Sequence, residues 1–325
     1  KHIKKIITDL DLLYLQNIDF KSIVVTGTNG KSTTCKMLEH LLKKNKFSVK
    51  LGGNIGKPVL DLNISKKDIL VLEASSFQLA YSKFIKPNYA MILNITTDHL
   101  DWHKNFINYS NSKFKIFSLQ KKTDFSFLDN SILFKKYKKR KFKGKLKFIK
   151  KNKYGFINKK IKNNYLKSDG NIKNMNFVYE LSLLLKINEN KFINAMNSFQ
   201  GLEHRNEIFY KKKNITYIND SKATSFEASK TALKSHKNIF WILGGIPKAG
   251  DKIDIQNLKK NIVKCFIFGK NTSHFQKQLI NNVSFVILNS LKDVVLRIIK
   301  EVKNTKKPIT VLLSPTGSSF DQFKN

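Results

Sequence analysis

Residues 21–38 read Lys-Ser-Ile-Val-Val-Thr-Gly-Thr-Asn-Gly-Lys-Ser-Thr-Thr-Cys-Lys-Met-Leu, and their reading decides the fold. Ile23-Val24-Val25 predicts a buried strand, Thr26 to Gly30 a loop with two glycines, and Lys31 onward has the spacing of a helix. Strand, glycine loop, Gly-Lys-Ser and helix together form a cradle for a triphosphate. Backbone N–H groups point inward, the helix N-terminus adds partial positive charge, the lysine reaches the outer phosphates, and the hydroxyl meets Mg²⁺. The common spacing, G-x-x-x-x-G-K-[ST], would place the first glycine at position 25, which is Val25. Here it is Gly27, so the loop is a shortened variant.

The 325 residues are enough for a substantial core and two domains. The apolar runs, such as Ile239 to Leu243, fall far short of the ~20 residues a membrane span needs. Lys1 to Lys21 alternates charge and apolar residues without the apolar centre of a signal peptide. Cys35 and Cys265 fall in different elements with no metal spacing, and read as ordinary thiols of a reducing compartment, the cytoplasm. The formal charge of +38 comes almost wholly from lysine, with only Arg140, Arg205 and Arg297 as arginines. Base readers favour the planar arginine fork, so no specific nucleic-acid partner is expected; a positive field that draws in anionic ligands is.

Outward from the loop, Asp9 to Asn17 has helical periodicity and Ser32 to Lys44 is an amphipathic helix. Gly52-Gly53-Asn54-Ile55-Gly56 forms a second backbone-rich loop, and Asp68 to Glu73 a buried strand that ends on a carboxylate. Tyr89 to Ile95 is another strand, and Phe106 to Leu119 a helix with Tyr109 and Lys113 one turn apart on one face. Residues 120–167, thick with lysine in short alternating runs, read as a small, partly antiparallel side sheet. Asn174 to Leu185 and Glu189 to Ser198 are helices, and Gly201 to Arg205 a hinge. Strands at 215–218, 239–243, 265–268, 285–288 and 309–313 then alternate with helices, a doubly wound pattern.

Further segments stand in one order: Glu73-Ala-Ser-Ser-Phe-Gln-Leu79, Asn94-Ile-Thr-Thr-Asp-His99-Leu-Asp-Trp-His103, the helix bearing Lys113, Gly201-Leu-Glu-His-Arg205, Asn219-Asp-Ser-Lys-Ala-Thr224, Leu243-Gly-Gly-Ile-Pro-Lys248 and Leu313-Ser-Pro-Thr-Gly-Ser-Ser-Phe-Asp-Gln-Phe323. With the nucleotide loop they resemble the Mur ligases of peptidoglycan synthesis, from about Asp9 to Asn325. The Asp-Ser-Lys-Ala-Thr and Ser-Phe-Asp-Gln-Phe forms are similar to the branch that adds D-glutamate to UDP-N-acetylmuramoyl-L-alanine. The Asp-Asn-Pro-Arg signature of the diamino-acid-adding relatives is absent.

The resemblance implies an α/β chain of two domains. Residues 1–200 would be a central, P-loop ATPase-like domain with a mostly parallel sheet plus the small side sheet. Residues 201–325 would be a C-terminal Rossmann-like domain for ADP and D-glutamate, cut short at its end. It also implies a monomeric ATP-dependent ligase. A substrate carboxylate attacks the γ-phosphate of ATP, and the amine of D-glutamate displaces phosphate from the acyl phosphate. By resemblance, Gly27, Thr28, Asn29, Gly30, Lys31, Ser32 and Thr33 hold the phosphates, and Asn174, Arg205 and Asp220 the rest of the nucleotide. Ser32 and Glu73 would bind one Mg²⁺, and His99 and Lys113 a second, with Lys113 carbamylated by CO₂ because hard cations want oxygen ligands. Asn54 and Ser75 would meet the muramoyl substrate, and Lys222, Thr224, Lys248, Ser319 and Phe320 the D-glutamate and ADP. His103 has no counterpart in this scheme.

The sequence departs from the family pattern in three places. No UDP-binding domain precedes the nucleotide loop, the last helix is cut at Asn325, and the His of His-Asn-x-x-Asn near the adenine is lost in Gly170-Asn171-Ile-Lys-Asn174. A fragment of a longer protein, a reduced enzyme or a decayed one would each show these departures, and the fragment is expected because the end at Asn325 interrupts a helix rather than capping it. Two alternatives stand beside the ligase: a folylpolyglutamate-synthase-like ligase, and a nucleotide-binding module without ligase activity.

Overall fold

Alternation along Lys21–Thr26 (β1) sends Ile23 and Val25 to one face of a sheet and Val24 to the other, and all three are fully buried. The computed structural model describes residues 6–16, 18–129, 131–248, 250–303 and 305–322. The chain divides into two compact units, Lys1–Gln200 and Gly201–Asn325.

The first unit runs α1 (Asp9–Leu15), β1, α2 (Lys31–Lys44), β2 (Val49–Gly53), β3 (Ile69–Glu73), α3 (Ser76–Tyr81), β4 (Tyr89–Ile92), α4 (Leu100–His103), α5 (Phe106–Phe114), β5 (Phe125–Leu128), α6 (Ser131–Lys139), β6 (Lys145–Phe148), α7 (Gly155–Lys160), α8 (Asp169–Leu184) and α9 (Glu189–Asn197). Its six strands form one parallel sheet in the order β2-β3-β1-β4-β5-β6. Strand order reverses beside β1, whose neighbours are β3 and β4, and ligands of open parallel sheets bind at the carboxyl edge of such a switch point. Helices cover both faces. Met37, Leu38 and Leu41 of α2 pack with Leu181 of α8 and Phe192 of α9 on one side; Leu13, Leu79 and Phe114 pack against Val24, Leu72 and Ile92 on the other. Residue 17, read as the end of the first helix, lies outside the described residues.

The second unit contains β7 (Glu207–Lys212), β8 (Ile215–Asn219), α10 (Phe226–Ser235), β9 (Ile239–Gly244), β10 (Ile262–Phe268), α11 (Thr272–Leu279), β11 (Phe285–Leu288), α12 (Leu291–Val302) and β12 (Ile309–Thr316). Its sheet has the order β11-β10-β9-β12-β8-β7, parallel except for β7 against β8. The five expected strands are present. β7 is an addition that the pattern did not predict, because Phe209 and Tyr210 beside Ile208 are all exposed and leave no alternating apolar face. Among the described residues no helix is long and apolar enough to cross a membrane.

One expectation is corrected. Residues 120–167 do not make a separate, partly antiparallel sheet. β5 and β6 pair parallel with β4 and with each other, extending the main sheet. The intervening α6 supplies the crossover that parallel neighbours require. Lys153-Tyr-Gly-Phe-Ile, read as a strand, is helical, and Tyr154 and Ile157 are fully buried in the core. Tyr154 OH and Lys153 Nζ both donate to Glu180 on α8, at 2.9 and 3.0 Å, tying this segment down. The misreading has a physical source: Lys145 and Lys147 alternate with Leu146 and Phe148 on an edge strand, which mimics a one-sided sheet. Phe127 is fully buried in the same core as α2, so Phe127→Ala should lower stability by about 3–5 kcal/mol. Urea unfolding checks this; a loss below about 1 kcal/mol would fit a peripheral sheet instead.

Candidate active site

The nucleotide loop leaves β1 at the switch point and enters α2 through Gly30, whose φ of +85° is left-handed. A side chain there is also blocked by space, since a Cβ would lie 2.4 Å from Asn174 Oδ1. Asn174 on α8 is thereby placed against the loop. Lys31 Nζ donates to Gly27 O at 3.0 Å and Thr28 O at 2.8 Å. Asn94 clamps the loop from beyond β4: its Oδ1 accepts from Asn29 N at 2.9 Å, and its Nδ2 donates to Asn29 O at 3.0 Å. Thr28 Oγ1 lies 2.9 Å from Tyr109 OH on α5 and accepts from Thr96 N at 3.0 Å. Ser32 is half-buried and Thr33 buried in the first turn of α2, where helical amides face an incoming anion.

Beside the loop, Lys31, Asn54, Ser75, Phe77, His99, Tyr109 and Lys113 are among the residues that line a cavity of about 110 Å³. Larger clefts exist, such as one of about 540 Å³ beside α12, but that one gathers no cluster of titratable groups. Glu73, at the carboxyl end of β3, is 2% exposed. Its Oε1 accepts from Asn54 Nδ2 at 3.0 Å, while Oε2 is buried with no hydrogen-bond partner. A buried carboxylate oxygen left so is costly, and a cation would satisfy it.

Lys113 is the one buried lysine among the described residues, at 1% exposure. Its ammonium donates to Gly27 O at 2.9 Å and stands 4.7 Å from the centre of the Tyr109 ring. Burial, then the Lys31 ammonium, brings its pKa down to about 7 against the opposing pull of Asp98 and Glu73. His99 begins α4 with a left-handed φ of 51° and packs 4.8 Å from the ring of Phe77; its Nε2 is 3.4 Å from Asp98 Oδ2. Among the described residues no three His, Cys, Asp or Glu side chains form a metal cluster. The unpaired Glu73 oxygen is a donor that fits a hard cation, and the His99 imidazole lines the same cavity as Lys113.

In the second unit the remaining residues lie at the carboxyl ends of β8, β9 and β12. Asp220 is buried, and both its oxygens have partners: Asn206 N donates at 2.9 Å and Ser314 Oγ at 2.8 Å. Burial raises its pKa to about 6 in spite of those bonds and of Arg205. The carboxylate expected at the nucleotide thus also braces the strand ends. Thr316 N donates to Ala223 O at 2.9 Å, and Ile246 and Ser318 exchange backbone hydrogen bonds, bringing the loops of Thr224, Lys248 and Ser319 to one edge. Arg205, Lys222, Lys248, Ser319 and Phe320 are exposed and Thr224 is half-buried. Phe323 of the last motif lies outside the described residues. Asn94 stood in a quoted motif, yet only its distance to the loop gives it a role. Tyr109 likewise reads as a helix neighbour of Lys113 until its hydroxyl is seen on Thr28.

Two outcomes follow from this geometry. Gly30→Ala, strained in backbone and crowded by Asn174, should weaken binding of a fluorescent ATP analogue roughly tenfold or more. For Lys113, a lowered folded pKa means that the unfolded chain binds a proton which the folded chain lacks between about pH 7 and its ordinary value. Stability should therefore rise with pH across that window. Lys113→Met should stabilise the fold at pH 7 in CO₂-free buffer by on the order of a few kcal/mol, with the gain shrinking as pH approaches ~10. Denaturant unfolding at several pH values checks the trend.

Residues 25–200 match the model of the Mur ligase middle domain. The chain is 34% identical over 340 residues to a UDP-N-acetylmuramoylalanine–D-glutamate ligase of Rickettsia felis, covering 98% of this chain and 76% of that protein. It is 32% identical to the corresponding ligase of Wolbachia pipientis wMel, covering 99% and 77%. Among solved structures, it is similar to MurF ligase of Thermotoga maritima in complex with ADP, with a TM-score of 0.70, 17% identity, and coverage of 96% and 80%. A MurF of Acinetobacter baumannii gives 0.73 at 17% identity, covering 97% and 77%. Those structural likenesses carry the fold; the sequence matches carry the kinship, and the chain belongs to the Mur ligase family.

Proposed function

We propose that the chain is an ATP-dependent amide ligase that joins D-glutamate to UDP-N-acetylmuramoyl-L-alanine, in the cytoplasm. The observation that carries the reading is the burial of Lys113 against Gly27 O in one cavity with Lys31, beside the unpaired carboxylate oxygen of Glu73. The likeness to D-glutamate ligases supports the choice of substrates. The buried, unpaired Cys35 and Cys265 suit a reducing compartment.

The residues divide the work as follows. Gly27 to Thr33 position the triphosphate on the helix N-terminus, with Lys31 swinging from the loop carbonyls to the β- and γ-phosphates. Asn174 packs beside the loop, and Arg205 and Asp220 take the nucleotide's outer part. Asn54 and Ser75 orient the substrate so that its carboxylate oxygen attacks the γ-phosphorus and ADP leaves. The amine of D-glutamate, held by Lys222, Thr224, Lys248, Ser319 and Phe320, then attacks the acyl carbon. Phosphate departs with the acyl oxygen, and the nitrogen loses its proton. The work is positioning and charge neutralisation rather than side-chain nucleophilic attack.

A lysine titrating near 7 is partly neutral at physiological pH. Its amine can add to the carbon of CO₂ and shed a proton, leaving a carboxylate on Nζ. Ser32, Glu73, His99 and the carbamylated Lys113 would hold two Mg²⁺, whose charge offsets that of the phosphate oxygens when they are bound. The test is phosphate release in the presence of ATP and Mg²⁺. It should require both UDP-N-acetylmuramoyl-L-alanine and D-glutamate, and Lys113→Ala should lower it roughly a hundredfold or more. Release with neither substrate, or full activity in Lys113→Ala, would refute the reading.

A further inference from the structure

The segment between β4 and α5 carries His99, yet from Asn94 to Asn108 only one residue, His103, is buried. It ends α4, a helix of four residues, which is too short to hold its shape alone. Both ends of α4 are held in the left-handed region by residues other than glycine, His99 at φ 51° and Lys104 at φ 69°. Such conformations persist only where tertiary contacts over-determine them. Those contacts converge on His103. Its Nε2 is 3.0 Å from Ser76 Oγ, itself 3% exposed, two residues beyond Ala74 and so directly downstream of Glu73. Its ring stacks on Phe77 at 5.7 Å and meets the Tyr109 ring edge-on at 5.2 Å. Its backbone N donates to His99 O at 3.0 Å, and its carbonyl accepts from Asn108 Nδ2 at 3.2 Å.

We infer that His103 is a positioning residue: it pins the His99 loop to α3, which follows Glu73, and to α5, which bears Lys113. Three of the elements that supply side chains to the cavity thus share one buried imidazole. The inference rests on the proposed active-site reading only for the purpose of the positioning. The pin itself stands on the contacts above. A histidine that merely fills core would leave the loop unchanged once an aromatic ring of similar size replaced it. Here the Ser76 hydrogen bond fixes the depth and rotation of the ring, so the ring alone is not enough.

The experiment compares the parent chain with His103→Phe, His103→Ala and Ser76→Ala. Amide hydrogen exchange is read by mass spectrometry on the whole chain, and Mn²⁺ binding by electron paramagnetic resonance. Exchange in 94–108 should quicken roughly tenfold or more in each variant, while 21–44 stays as in the parent. Mn²⁺ affinity should fall about tenfold, with the affinity for a fluorescent ATP analogue held within about twofold. Folded variants whose 94–108 exchange is unchanged would overturn the inference. So would faster exchange with Mn²⁺ affinity unaltered. Should His103→Ala fail to fold, His103→Phe and Ser76→Ala decide. A parent chain that binds no Mn²⁺ would remove the proposed metal site, while the exchange result still decides whether His103 pins the loop.

Discussion

The carbonyl oxygen of Gly27 accepts hydrogen bonds from two lysine side chains, Lys31 at 3.0 Å and Lys113 at 2.9 Å. Two ammonium groups on one oxygen repel each other, and Lys113 has been taken out of water as well. The nearest opposing carboxylates, Glu73 and Asp98, do not cancel that burden, since the Lys113 pKa still falls to about 7. The carboxyl edge of the first sheet is therefore an electrostatic demand for negative charge, set where strand order reverses. A triphosphate would draw Lys31 away from the carbonyls, and a carboxylate on Nζ would turn Lys113 from a repelling partner into an attracting one. The arrangement of the unit, with Asn174 against Gly30, Asn94 against Asn29 and Tyr109 against Thr28, serves to hold that oxygen and its loop in place.

What was legible in the sequence was legible because parallel strands are read by period and end at one edge. Glu73, His99 and the nucleotide loop each follow an apolar run, and the edge of an α/β sheet brings such ends together whatever lies between them. The segment from 120 to 167 was misread because edge strands and solvated helices share the same lysine-apolar alternation. Only the crossover through α6 and the burial of Tyr154 separate the two readings. Partnerships across long separations were not legible at all. Asp220 is joined to Ser314 over 94 residues, and Thr28 to Tyr109 over 81. No local pattern encodes either.

The lysine content sharpens this contrast. In a chain with a formal charge of +38, a lysine at position 113 carries no signal by its identity. Nearly every lysine keeps its ammonium in water, where a charge costs little; Lys113 alone among the described residues is buried. Replacing other surface residues with lysine is tolerated because it changes a diffuse field. Placing one at the carboxyl edge of the central strand is a different matter, because the cost of desolvation falls on the folded state. The distinction between the surface lysines and Lys113 is thus one of depth, which only the packing of α5 reveals.

That depth also separates Lys113 from an ordinary acidic residue at the same place. Lys113 springs from α5 and must cross the Tyr109 ring before its tip touches the loop carbonyl. An aspartate or glutamate on α5 would end along that path, short of the tip, with its charge buried beside an aromatic face and away from the hydroxyls and imidazole that could share a cation. A lysine stem reaches the loop as a largely apolar chain, which suits its passage past Tyr109, and is polar only at its end. Glu73 can afford to be a plain carboxylate because β3 delivers it to the edge directly, with Asn54 satisfying one oxygen. Glu73 and Lys113 thus reach the edge of the sheet by different routes, one set by strand direction and the other by side-chain length. The burial and the neighbouring Lys31 that bring the Lys113 pKa down to about 7 are what make it costly to keep as an ammonium.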